Sequence, residues 1–195
     1  MVKIGVAPSG PKASVLRPAA VVCVAMPRSF DLSAESPASV EQVHAAFGDE
    51  NYWGARLAAF GAGPGAARLD SLAVEADGTV IVATTFSLLR DRLPKLVSQL
   101  VRGELEMVHI EKWSRIGRGQ VRGDVSVALP GTPVSATGEA LLAPLRNGSR
   151  LRYNATVKVK LPLVGDKIES FMSGRLAEGI MDIQRFTTAW IAENC

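Results

Sequence analysis

The chain has 195 residues, 47% of them hydrophobic and 21% charged, with a formal net charge of +3. That length suits one domain with a single core, and no apolar run approaches the about 20 residues needed for a membrane-spanning helix. The charge is localised: Lys3, Lys12 and Arg17 are the only charged residues before Met26, and the remainder carries 19 basic and 19 acidic side chains. Arginines interspersed with acids leave no basic footprint, so no nucleic-acid partner is expected.

Residues 1–18 hold three prolines and no sustained periodicity, and an apolar run, AAVVCVAM, follows. The leading segment is long and proline-broken for a signal peptide, and no small-x-small cleavage site precedes the folded part cleanly. Residues 1–25 therefore read as a disordered or misassigned extension, and residues 26–195 as the folded domain. Cys23 and Cys195 stand apart from other metal ligands. No disulfide framework or metal site is implied, and a reducing, cytoplasmic setting is favoured.

From Arg28 the pattern is regular. Phe30, Leu32 and Ala34 alternate with polar residues, the signature of a half-buried strand. Ser36-Pro37 has the form of a helix cap and first helical residue, and Val40, Val43 and Phe47 recur at helical spacing. Asp49 can cap a second helix with Tyr52, Trp53, Leu57 and Phe60 on its apolar face, ended by the glycines of GAGPGA at 61–66. That glycine run lacks the spacing and the strand-loop-helix setting of a phosphate-binding loop. Six further strands are expected between residues 67 and 161, with Asp77-Gly78 and Asn147-Gly148 as type I′ hairpin turns and a helical turn over 95–101. Tyr153, Ala155, Val157, Val159 and Leu161 give the last strand one dry face. Pro162 then opens a long amphipathic helix, whose stripe runs through Val164, Ile168, Phe171, Met172, Leu176, Ile180, Ile183, Phe186 and Trp190.

This order is α+β: a strand, two short helices, six antiparallel strands and a long C-terminal helix. It resembles the helix-grip fold of the START-like (SRPBCC) superfamily. The wording MPRSFDLSAESPASVEQVHAAFGDENYW at the front and VKLPLVGDKIESFMSGRL with QRFTTAWI at the back is similar to a bacterial family of that superfamily with unassigned function. The resemblance implies a seven-stranded curved antiparallel sheet wrapped around the last helix, with a hydrophobic ligand site between them. It carries over no catalytic residue and no cofactor.

Alternation and helix spacing nominate Trp53, Phe86, Met107, Trp113, Tyr153, Ile168, Phe171, Met172 and Ile180 as pocket residues. The partner expected is a small hydrophobic or amphipathic molecule, lipid or polyketide-like, held by a carrier or sensor. The sequence contains no Walker A, G-x-S-x-G or H-E-x-x-H motif. An enzyme of polyketide-cyclase type would use His109 with Glu111 as acid-base pair and Tyr153 as donor, if their face of the strand points inward; the alternation alone does not choose between that face and Val108 with Ile110. A third alternative is a ligand-free interaction regulator with a collapsed interior. Gly174 and Gly179 interrupt the long helix, either to let it approach the sheet closely or to leave volume for a ligand.

Overall fold

The computed structural model describes residues 28–61, 63, 66–88, 105–159 and 165–194, and the side chains of the C-terminal helix from residue 174 onward. The extension at 1–25, the turn expected at 95–101 and the Pro162 handover lie outside the described residues. The strands are β1 (Arg28–Ser36), β2 (Ala67–Val74), β3 (Val80–Leu88), β4 (Leu105–Gly117), β5 (Gln120–Ala128), β6 (Val134–Leu145) and β7 (Gly148–Val159). Helices α1 (Val40–Phe47) and α2 (Glu50–Phe60) separate β1 from β2, and α3 (Gly165–Asn194) follows β7. The seven strands form one antiparallel sheet in the order β1-β7-β6-β5-β4-β3-β2. This is the helix-grip arrangement.

Local chemistry sets the element boundaries. The cap of α1 is Ser39, three residues later than the Ser36-Pro37 signal suggests. Ser39 Oγ accepts from the Gln42 N–H at 3.2 Å, and Gln42 Oε1 accepts from the Ser39 N–H at 2.9 Å, a reciprocal capping box that outcompetes proline as a start signal. Ser36 instead ends β1 and accepts the Ala38 N–H. Asp49 caps α2 as expected, accepting from the Asn51 N–H at 2.8 Å.

The hairpins depart from expectation. The type I′ turn is Arg118-Gly119, between paired Gly117 and Gln120, with φ values of 54° and 66°. Asp77 and Asn147 keep negative φ, and only the glycines after them are positive. The Asp77-Gly78 connection closes through Gly78 N–H to the Glu75 carbonyl and Glu75 N–H to the Thr79 carbonyl. Asp77 Oδ1 accepts from the Thr79 N–H, a local bond that holds its backbone in the ordinary region.

Strand register aligns small and large residues across the inner face. One row reads Val80, Trp113, Gly123, Ala140 and Tyr153; the next reads Val82, Glu111, Val125, Gly138 and Ala155. A Cβ on Gly123 would lie 2.5 Å from Trp113 Cζ3, and one on Gly138 would collide with the Tyr153 hydroxyl. The two side chains therefore lie against the glycines and form a floor on the inner face. The floor belongs to the first of two apolar clusters. One, around Val43, Phe47, Tyr52, Trp53 and Leu142, lies under α1, α2 and the end of α3; the other joins Leu105, Leu129, Val134, Val157 and Val159.

Gly174 is exposed, and a Cβ there would meet nothing within 4 Å. Gly123→Ala should destabilise the fold by about 1–3 kcal/mol through overpacking. Gly174→Ala should stabilise it by roughly 0.5–1 kcal/mol. Urea unfolding of the two variants beside the wild type checks the opposite signs.

Candidate functional site

The inner face of β4 carries Leu105, Met107, His109, Glu111 and Trp113, while Ile110 is exposed on the other side. That settles the inward phase of the strand. Glu111 is 4% exposed, and its charge is met by a residue that periodicity did not single out: Arg56 on α2, 7% exposed. Arg56 Nη2 donates to Glu111 Oε1 at 2.8 Å, and Trp113 Nε1 donates to Oε2 at 2.8 Å. The guanidinium also stacks over the Trp53 ring, 4.5 Å from its centroid. The available signal was placement, since Arg56 lies four residues after Tyr52 and three after Trp53, on the buried face of α2.

Burial works against charge on Glu111, but Arg56, His109 and the Trp113 hydrogen bond outweigh it and hold the carboxyl below its ordinary range. His109 Nε2 is 3.6 Å from Glu111 Oε1, beyond hydrogen-bond distance. Burial lowers the pKa of His109 despite the carboxylate, and Arg56 lowers it further. The imidazole is neutral near pH 7. Burial raises the pKa of the Tyr153 phenol, and Glu111 adds to the rise, so this group keeps its proton.

Opposite the sheet, the most buried line of α3 runs through Gln184, Thr187 and Ile191, with Phe186 and Trp190 half-buried beside it. The apolar stripe read from sequence is thus rotated. Phe186 and Trp190 turn toward Tyr52, with ring centroids at 6.0 and 5.3 Å. Thr187 Oγ1 donates to the Ile183 carbonyl at 2.8 Å, so the 2.8 Å contact with Tyr52 has the phenol as donor. This chain of bonds pins α3 to α2.

Between α3 and the sheet lies a cavity of about 340 Å³. Phe86, Met107, His109, Trp113 and Tyr153 border it from the sheet, Arg56 and Phe60 from α2, and Leu176, Gly179, Ile180, Ile183 and Gln184 from α3. It is lined from both apolar clusters and lies between them. Of the pocket residues nominated from sequence, Phe86, Met107, Trp113, Tyr153 and Ile180 are brought together here. Ile168, Phe171 and Met172 have side chains outside the described residues. Trp53 is a correction: it is 1% exposed and does not border the cavity, because its indole N–H donates to the Phe47 carbonyl at 2.7 Å and its ring backs Arg56 within the core. A Cβ on Gly179 would meet nothing within 4 Å, so close approach of helix and sheet does not account for this glycine. Among the described residues no group of three His, Cys, Asp or Glu side chains could hold a metal ion, and no helix is long and apolar enough to cross a membrane.

Sheet and terminal helix together make up the START-like helix-grip fold. Crystal structures with the same fold include Ara h 8.0201, with a TM-score of 0.51 at 14% identity over 87% of this chain and 100% of that one. Protein Ms6760 from Mycobacterium smegmatis gives 0.52 at 12% identity over 86% and 92%. The di-domain ARO/CYC StfQ from the steffimycin biosynthetic pathway gives 0.53 at 16% identity over 85% and 50%. At such identities the likeness shows the fold. The model of a protein family of unknown function, DUF2505, matches residues 31–191, and the chain belongs to that family. The uncharacterised proteins Rv0481c of Mycobacterium tuberculosis and Mb0491c of Mycobacterium bovis are each 38% identical to it over 175 residues, 87% of this chain and 99% of each relative.

Arg56→Met should cost about 3–5 kcal/mol by leaving Glu111 charged, buried and unpaired, whereas Arg56→Met with Glu111→Leu should recover most of that loss. A double-mutant cycle by urea unfolding reads the coupling. Acid should act in two stages. Below about pH 6.5 the unfolded chain protonates His44 and His109 more readily than the folded one, because burial lowers both in the native state. Stability should therefore be level above that pH and fall beneath it. It should fall further below about pH 4.3, as unfolding lets Glu111 take up a proton that its native partners resist. Urea midpoints measured from pH 8 to 4 test this, and His109→Gln should shrink the first stage to the part that His44 supplies.

Proposed function

We propose that the protein binds one small, predominantly apolar molecule in the cavity between the sheet and α3, and acts as a carrier or sensor. The observation that carries this reading is the cavity itself, whose walls are mainly aromatic and aliphatic and whose one buried ion pair, Arg56 with Glu111, is already matched. A volume of about 340 Å³ falls at the small end of the range of about 300–1,000 Å³ found for small-molecule sites. It favours a compact lipid-like or polyketide-like molecule over a two-chain lipid. Affinity would come from apolar burial, at roughly 25 cal/mol per Å² before ordering costs. The cavity also counts against the collapsed interior of a purely protein-binding regulator. The same proposal sets the protein in the cytoplasm, on the two widely separated cysteines.

The acid-base alternative draws on His109 and Tyr153, which both border the cavity. It has less support, because both Glu111 oxygens are engaged by Arg56 and Trp113 and neither is within hydrogen-bond distance of the imidazole. Glu111 is therefore a poor orienter for a catalytic histidine.

The neutral probe N-phenyl-1-naphthylamine should show saturable fluorescence enhancement at one site. Gly179→Leu, which projects a side chain into open space beside the cavity, should weaken it at least about tenfold, a loss of roughly 1.4 kcal/mol. Native mass spectrometry of the protein from its own source should show a co-purifying small molecule that the variant lacks. Absence of saturable binding, or equal binding by the variant, would sink the reading.

A further inference from the structure

Gln184 is 6% exposed, borders the cavity, and has a side-chain amide nitrogen with no hydrogen-bond partner. A buried donor left unpaired is costly, so such a group calls for an explanation. It sits on α3 between Ile180, Ile183 and Thr187, positions where an aliphatic side chain would complete the helix face. Thr187 beside it is saturated by Tyr52 and the Ile183 carbonyl. Across the cavity, both Glu111 oxygens are held by Arg56 and Trp113.

Resting on the cavity-binding reading, we infer that the ligand is a neutral molecule with a carbonyl oxygen, and that this oxygen accepts a hydrogen bond from the Gln184 side-chain amide. A carbonyl is the simplest acceptor to bury, because it brings no hydrogen that needs a partner of its own. Neutrality follows from the charges that face the cavity. The buried cation, Arg56, is matched by Glu111, and Arg175, which also borders the cavity, has a largely exposed side chain 3.6 Å from Glu178. A carboxylate taken to the inner end would meet Glu111 without a cation of its own. Gln184 is thus the specificity determinant on the helix side, and the rings of Trp113 and Tyr153 supply apolar surface on the sheet side.

The test uses the full chain and two probes of matched shape, 9-fluorenone and fluorene, which differ by a carbonyl in place of a methylene. Tryptophan fluorescence reads binding through Trp113. Wild type should favour fluorenone by about tenfold, and Gln184→Leu should abolish that preference while still binding fluorene. The ligand-free Gln184→Leu protein should melt at the same temperature as wild type or higher, because the substitution removes an unpaired donor. Gln184→Glu, which replaces the amide donor with an acceptor, should bind fluorenone no better than fluorene. Equal affinity of wild type for both probes overturns the role of Gln184 and leaves the cavity reading standing. A Gln184→Leu protein that melts several degrees lower assigns Gln184 to the core and overturns the inference independently of any probe. Failure of wild type to bind either probe overturns both readings.

Discussion

The interior is organised by one buried charge pair. Arg56 and Glu111 come from α2 and β4, 55 residues apart in sequence, and are joined at 2.8 Å with almost no solvent around them. Two ions in such a place are tolerable only if their remaining hydrogen-bonding capacity is used. Trp113 supplies a donor to the carboxylate, and Trp53 supplies a ring face to the guanidinium. Each of these side chains is fixed in turn: the indole of Trp53 by the Phe47 carbonyl, the ring of Trp113 by lying against Gly123. The position of the short helices over the sheet, the orientation of Trp113 and the electrostatics of His109 all depend on that pair.

Its second consequence concerns the cavity. Had Glu111 lacked a partner, its carboxylate would have remained the dominant charge on the wall and would have favoured a protonated His109. With Arg56 in place the local charge cancels, and burial determines the state of the histidine. A neutral imidazole and a phenol that keeps its proton then border an otherwise apolar space. The proposed ligand would then be selected by shape and by a few directional hydrogen bonds, with little contribution from net charge.

The fold was legible because its elements have strong, uninterrupted periods: alternation through β1 and β7, and a seven-turn apolar pattern in α3. Several details were not, for identifiable reasons. Arg56 falls on a buried helix face, but a single charged residue there reads as a boundary of the apolar stripe until its partner on β4 is in view. Trp53 and Trp113 are equal candidates by periodicity, yet tertiary packing sends one behind the ion pair and the other onto the floor. The turn at Arg118-Gly119 was hidden because arginine is an unusual left-handed residue, whereas Asp77-Gly78 and Asn147-Gly148 carry the commoner signal without the matching backbone. Among the described residues of α3 the largest apolar side chains, Phe186 and Trp190, lie beside the most buried line, because the aromatic cluster around Tyr52 draws them toward α2.

The same rotation of α3 explains why polar residues face the cavity. With Phe186 and Trp190 committed to the cluster around Tyr52, the line that borders the cavity includes Ile180, Gln184 and Thr187, spaced by four and three residues. Thr187 is satisfied locally, through the Ile183 carbonyl one turn earlier and the Tyr52 hydroxyl. Gln184 is longer and has no such backbone partner for its amide nitrogen, so the helix presents one unfulfilled donor where the two apolar clusters fail to meet. Packing alone would favour an aliphatic residue there and a smaller void. A void and an unpaired donor therefore coincide at one point of the interior, and the proposed ligand would fill the first and satisfy the second.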